Sequence, residues 1–154
     1  MTTGRAVDRA GTVLAYSSMA SFKTIPADVA AVFDAMPDQA RRRLLEVRAQ
    51  IFEVAEATGA GDLTETLKWG EPAYLTEARK SGTTIRLGLS DGQPAVFFTC
   101  HTSLVDGFRA DFPEAFEYVG NRALRLKADS DRAALGICLG RALTYQRDKR
   151  RGTG

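Results

Sequence analysis

The sequence is poor in the residues from which small catalytic or cross-linked proteins are usually built. Its 154 residues include two cysteines, Cys100 and Cys138, one histidine, His101, and one tryptophan, Trp69. Two cysteines with no Cys-x-x-Cys spacing exclude a disulfide-rich scaffold and a cysteine-based structural zinc site. Nothing in the sequence supports a bridge between them, and two reduced thiols fit a cytosolic protein. A lone histidine cannot supply the two or three that a zinc hydrolase usually needs, and His-Glu-x-x-His is missing. The glycine fingerprints of nucleotide cradles and the Gly-x-Ser-x-Gly elbow are also missing, so those enzyme classes have no support in the sequence. A serine triad would have to be built around His101, and no serine stands in an elbow context. Apolar runs stay far short of the ~18 residues that span a bilayer. Near the N-terminus, Val13-Leu14-Ala15 is too short for a secretory core. These absences lead us to expect a cytoplasmic protein with no membrane partner.

Charge is balanced in total and uneven in place. The chain carries 21 basic and 19 acidic residues, a formal charge of +2. Arg141, Arg147, Lys149, Arg150 and Arg151 crowd its end against Asp148 alone, so the body before them is slightly acidic. A nucleic-acid binder should show a basic stripe on a folded face, interleaved with aromatics. A terminal basic cluster is more simply a solvated helix end, its cations placed well against the helix dipole. No nucleic-acid partner is expected.

With 44% hydrophobic and 26% charged residues, the chain fits one soluble globular domain. Residues 1–20 are small, polar and aperiodic and read as a loose arm, 21–149 as the domain, and 150–154 as a basic tail. A helix is expected from Pro26, with Val29, Val32, Phe33 and Met36 on one face. A second starts at Asp38, with Leu44, Val47, Ile51 and Val54/Ala55 recurring at three- and four-residue steps until Gly59 and Gly61. From residue 64 the period changes to two. Strands are expected over 64–69 and 73–76 around Gly70-Glu71-Pro72, over 84–89 and 94–100 around Ser90-Asp91-Gly92-Gln93, and over 116–119 and 122–126 around Gly120-Asn121. A short helix capped by Thr102 or Ser103 precedes the last hairpin. A long one capped by Ser130 follows it, with Ala134, Leu135, Cys138, Ala142 and Tyr145 on one face. This order predicts an α+β fold: an antiparallel sheet of about five strands bracketed by N-terminal and C-terminal helices.

The chemically densest stretch is Thr66-Leu67-Lys68-Trp69-Gly70-Glu71-Pro72-Ala73-Tyr74. Trp69 and Tyr74 each combine a large apolar face with a hydrogen-bonding tip, which suits a pocket wall. The alternative is that Trp69 plugs one end of the core while Glu71 satisfies the turn. His101 adjoins Cys100, and strand neighbours point to opposite faces, so the two make a poor chelate. Cys100 is expected in the core, with His101 beside the following helix.

The run Leu67-Lys68-Trp69-Gly70-Glu71-Pro72-Ala73-Tyr74 resembles the signature of the YdhG-like domain family, a domain of unknown function. The likeness continues through Thr84-Ile85-Arg86, Thr102-Ser103-Leu104-Val105-Asp106-Gly107-Phe108-Arg109, Gly120-Asn121-Arg122-Ala123 and Ala142-Leu143-Thr144-Tyr145. It covers about residues 22–149. One branch of that family is described as frataxin-like iron chaperones, so the resemblance implies iron as the one cofactor to consider.

Three functions follow as expectations. The first is a non-catalytic domain binding a small molecule or anion near the Trp69 turn, through Lys68, Trp69, Glu71, Tyr74, Arg86, Arg109, Asn121 and Arg122. The second is the iron chaperone, for which Asp106, Asp111, Glu114 and Glu117 are the local carboxylates and His101 the remaining metal-binding type. The third is an interaction module working through an exposed edge strand or a homodimer. Lys68, Glu71, Tyr74 or His101 could serve as an acid or base. No two of them have a spacing that demands it, so no catalytic residue is assigned.

Overall fold

The structure, a computed structural model, describes residues 23–99, 102–128 and 130–153. The expectations for residues 1–20, Cys100 and His101 fall outside the described residues.

Helix α1 spans Ala27–Asp34 and buries Val29 and Phe33, with Pro26 at its N-cap. Helix α2 spans Asp38–Thr58 behind Pro37. Proline costs nothing there, because the first N–H groups of a helix have no intrahelical partner. Leu44, Val47, Ile51 and Ala55 form the buried stripe that their spacing predicts. Gly59 ends the helix at φ 73°, a left-handed cap that costs glycine no steric strain.

Six strands follow: β1 (Thr64–Lys68), β2 (Glu71–Leu75), β3 (Ile85–Ser90), β4 (Gln93–Phe97), β5 (Phe116–Val119) and β6 (Ala123–Leu126). They form one antiparallel sheet in the order β1-β2-β3-β4-β6-β5. The fold is therefore α+β as predicted. The sheet has six strands where about five are expected, because every one of the six period-two runs, the short last hairpin included, pairs into it. Helices α3 (Leu104–Asp111), α4 (Arg132–Leu143) and α5 (Tyr145–Thr153) complete the chain.

Strand alternation divides the sheet into two faces. Tyr74, Ile85, Leu87, Val96 and Leu124 share one face and are wholly buried. Helices α1, α2 and α4 pack against the sheet to form this core. The opposite face carries the cross-strand row Thr66, Ala73, Arg86, Phe97, Ala123 and Val119. Lys68 and Glu71 pair at the β1–β2 end of that same face.

Three local expectations are corrected. Val119 pairs with Ala123, so the last hairpin turns through Gly120, Asn121 and Arg122 and not through two residues. Asp131 caps α4 by accepting from Ala133 N, while Ser130 Oγ accepts from Lys127 N and donates to Ala115 O. The C-terminal helix breaks at Thr144, and α5 carries the basic residues on to Thr153. The loop between β2 and β3 closes the end of α4: Thr83 N donates to Ala142 O, and Ser81 Oγ lies 2.9 Å from Leu143 O. Gly82 permits that approach, since a Cβ there would stand 2.3 Å from the Ala142 carbonyl oxygen.

Candidate functional site

The β1–β2 hairpin is tighter than its sequence suggests. Lys68 pairs with Glu71, leaving Trp69 and Gly70 as a two-residue turn with φ 56° and 77°. Two consecutive positive φ values make a type I′ turn, whose first position normally holds Asn, Asp or Gly. A tryptophan there bears the steric cost of the left-handed region. Nor does it recover that cost by burial, because Trp69 is 89% exposed. The expectation that Trp69 plugs the core is therefore overturned. The indole stands out at the hairpin tip.

Beside it lies a cleft of about 410 Å³, within the ~300–1,000 Å³ common for small-molecule sites. Lys68 and Trp69 reach it from the hairpin, Thr84 from just before β3 and Arg86 from its start, Thr99 from just after β4, and Arg122 from the last hairpin loop. Three cations line this cleft with no carboxylate among its lining residues. Two of them, the Lys68 ammonium and the Arg122 guanidinium, have no ion-pair partner among the described residues. A larger cleft of about 870 Å³ near the end of α2 sets Glu56 and Asp62 against Lys23 and Arg79, so its charges offset one another.

Arg86 is held differently from the other two cations. Its Nη1 donates to Glu71 Oε1 at 2.5 Å, and its guanidinium lies 5.3 Å from the centre of the Phe97 ring. Glu71 reaches from β2 onto the neighbouring strand β3 to make this bond, lying over Gly88. A Cβ at Gly88 would stand 2.5 Å from Glu71 Oε2, so any larger residue there would push the carboxylate aside. Burial holds the Glu71 carboxyl above the usual carboxylate range, outweighing the opposing pull of Arg86.

Of the residues expected at the site, Lys68, Trp69, Arg86 and Arg122 converge, with Glu71 behind Arg86. Three others do not join them. Tyr74 is wholly buried on the helix-covered face, where its hydroxyl donates to Glu65 Oε2 at 2.8 Å. Burial and the Glu65 carboxylate push its phenol well above the ordinary range. Arg109 is structural: it pairs with Asp106, donates to Gly120 O and lies over the Tyr118 ring. It thereby ties α3 to the loop that presents Arg122. Asn121 sits on that loop but is not among the residues lining the cleft.

The sequence reading missed Thr84, Thr99 and Gly88. For Thr84 a signal existed, since i and i+2 on a strand share a face and Thr84 stands two before Arg86. It also missed the buried pair beneath Tyr74. Arg48 Nε and Nη2 grip Glu65 at 2.6 and 2.8 Å, with side chains 5% and 7% exposed. Seventeen residues separate them, so no local periodicity links them.

The carboxylates proposed for iron are spoken for or dispersed. Asp106 pairs with Arg109, Asp111 with Arg141 and Glu117 with Arg125. Among the described residues no three His, Cys, Asp or Glu side chains come together as a metal site. Cys138 is a buried free thiol, pushed up to about 12 by burial. No helix among the described residues is long and apolar enough to cross a membrane. Comparison with protein-family models, curated proteins and solved structures finds no match.

Proposed function

We propose that this protein binds a small anionic molecule carrying a flat ring in the cleft beside Trp69. The observation that carries this reading is the exposed indole on a strained turn, next to two cations without an ion-pair partner among the described residues. An exposed aromatic face offers a stacking surface, and guanidinium and ammonium donors suit carboxylate or phosphate oxygens. Thr84 and Thr99 add hydroxyls that can donate or accept. Lys80 and Asp91 share the left-handed backbone, but of the three such non-glycine residues only Trp69 is a large aromatic, and its side chain is spent on solvent at the mouth of the cleft.

Calorimetric titration with phenyl phosphate and benzoate tests the reading. Binding by the wild type should weaken about tenfold in Lys68→Ala and again in Arg122→Ala, as expected for loss of one charge-assisted hydrogen bond each. Equal binding by wild type and both variants would refute the site.

A further inference from the structure

The open question at this cleft is why one of its three cations carries its own carboxylate. Lys68 from β1 and Arg86 from β3 are the charged groups that face Glu71. Of the two, only Arg86 forms an ion pair with it. Phe97 from β4 backs the Arg86 guanidinium, and Gly88 forms the floor under the carboxylate. Farther along the sheet, Arg125 on β6 is turned to Ser90, Asp91 and Glu117. Glu71 itself does not line the cleft, so it acts from behind Arg86.

We propose that Glu71, laid over Gly88, is a built-in counter-anion that answers Arg86, leaves Lys68 and Arg122 as the two uncompensated cations, and so suits the cleft to a ligand bearing two negative charges beside an aromatic ring. The shared chemistry is that of an aryl phosphate monoester or an aromatic dicarboxylate. Glu71 is here a positioning residue. It sets how much of Arg86's charge a ligand feels, and it fixes the plane of the guanidinium between carboxylate and Phe97. The inference rests on the anion-binding reading given above and adds the ligand's charge and the residue that sets it.

Two consequences separate this from a merely structural ion pair. Neutralising Glu71 should raise the affinity for anions, because an opposing charge is removed. The gain should be larger for a dianion than for a monoanion, since each ligand charge feels the change in potential. Lowering the pH should do the same in the wild type: the Glu71 carboxyl gains its proton earlier than an exposed one would, and Arg86 is released to the ligand.

Benzene-1,3-disulfonate and benzenesulfonate are suitable probes, because sulfonates keep their charge across the range tested. Each is titrated by calorimetry between about pH 8 and about pH 5 into wild type, Glu71→Gln and Gly88→Ala, with Trp69 fluorescence followed in parallel. The wild type should bind the disulfonate at least about tenfold more tightly than the monosulfonate, one further charge-assisted contact. Glu71→Gln should tighten disulfonate binding about fivefold at neutral pH and lose the wild-type gain on acidification. Gly88→Ala keeps the carboxyl but displaces it, and should tighten binding in the same direction. Unchanged or weaker binding in Glu71→Gln, with the wild type still binding, would overturn the counter-anion role and leave the cleft standing. Failure of both sulfonates to bind or to perturb Trp69 in the wild type would overturn the cleft as well.

Discussion

The Cβ that Gly88 lacks would stand 2.5 Å from the Oε2 of Glu71. Strand β3 is thus cut away at one position so that a carboxylate from β2 can lie over it and meet Arg86 on the same strand. Glycine inside a strand weakens the strand and commonly marks a place where another group must come close. Here that group is the carboxylate which decides how Arg86 behaves.

Replacing Trp69 should separate stability from binding. Asn is favoured at the first position of a type I′ turn. Trp69→Asn is therefore expected to stabilise the fold by about 1 kcal/mol, the scale of left-handed strain in a non-glycine residue. The same change should abolish aromatic anion binding. Urea denaturation and calorimetric titration of one preparation read both effects, and a destabilised variant would contradict the account of the turn.

Glu71 should leave a mark on stability as a function of pH. Its carboxyl is raised in the folded state, so the folded protein takes up this proton more readily than the unfolded chain. Its contribution is full below the unfolded value and is lost as pH rises through the folded one. Wild type should consequently gain stability relative to Glu71→Gln on acidification through that window. Paired thermal melts across pH check the sign, and a gap of opposite slope would rule it out.

How much of this was legible beforehand depends on the range of each interaction. Helix α2 was readable because Leu44, Val47, Ile51 and Ala55 repeat with the helical period, and β3 because Ile85 and Leu87 alternate with Arg86. Register was not readable. Tyr74 falls on the core face because it pairs with Ile85, a relation between strands that neither strand shows alone. The tight hairpin was hidden for another reason: tryptophan is a poor marker for a left-handed turn, so the turn was placed one residue late. At the site, the run around Trp69 drew attention to Lys68, Trp69 and Glu71 through composition. Tyr74 came with them wrongly, and the cut-away at Gly88 could not be seen without coordinates.

The buried pair under the sheet should govern stability without touching the cleft. Arg48→Met leaves the buried Glu65 carboxyl with only Tyr74 for a partner among the described residues, and is expected to cost about 3–5 kcal/mol. Tyr74→Phe removes one hydrogen bond to a carboxylate that Arg48 still holds, at a cost of about 1–2 kcal/mol. Denaturant unfolding should rank the two in that order. Anion affinity of whatever fraction remains folded should be unaltered, since Glu65 and Tyr74 lie on the opposite face from Arg86.

Cys138 should behave as an inert thiol. Burial pushes it up to about 12, so very little thiolate exists near neutrality. A thiol reagent should label the Cys138 peptide only as the protein unfolds, as read by mass spectrometry along a denaturant series. Rapid labelling in native buffer would contradict the packing of α4.

The central claim is that Trp69, Lys68 and Arg122 meet one ligand. A single tryptophan gives a single indole N–H signal in a proton–nitrogen correlation spectrum, so titrating phenyl phosphate against that signal is the most direct test. The account requires a saturable shift of the Trp69 indole in wild type and its loss in the Lys68→Ala/Arg122→Ala double variant. Both substitutions are at exposed positions, so the double variant should keep its stability to within about 1 kcal/mol. An indole signal that stays still in the wild type, or moves equally in the double variant, would contradict it.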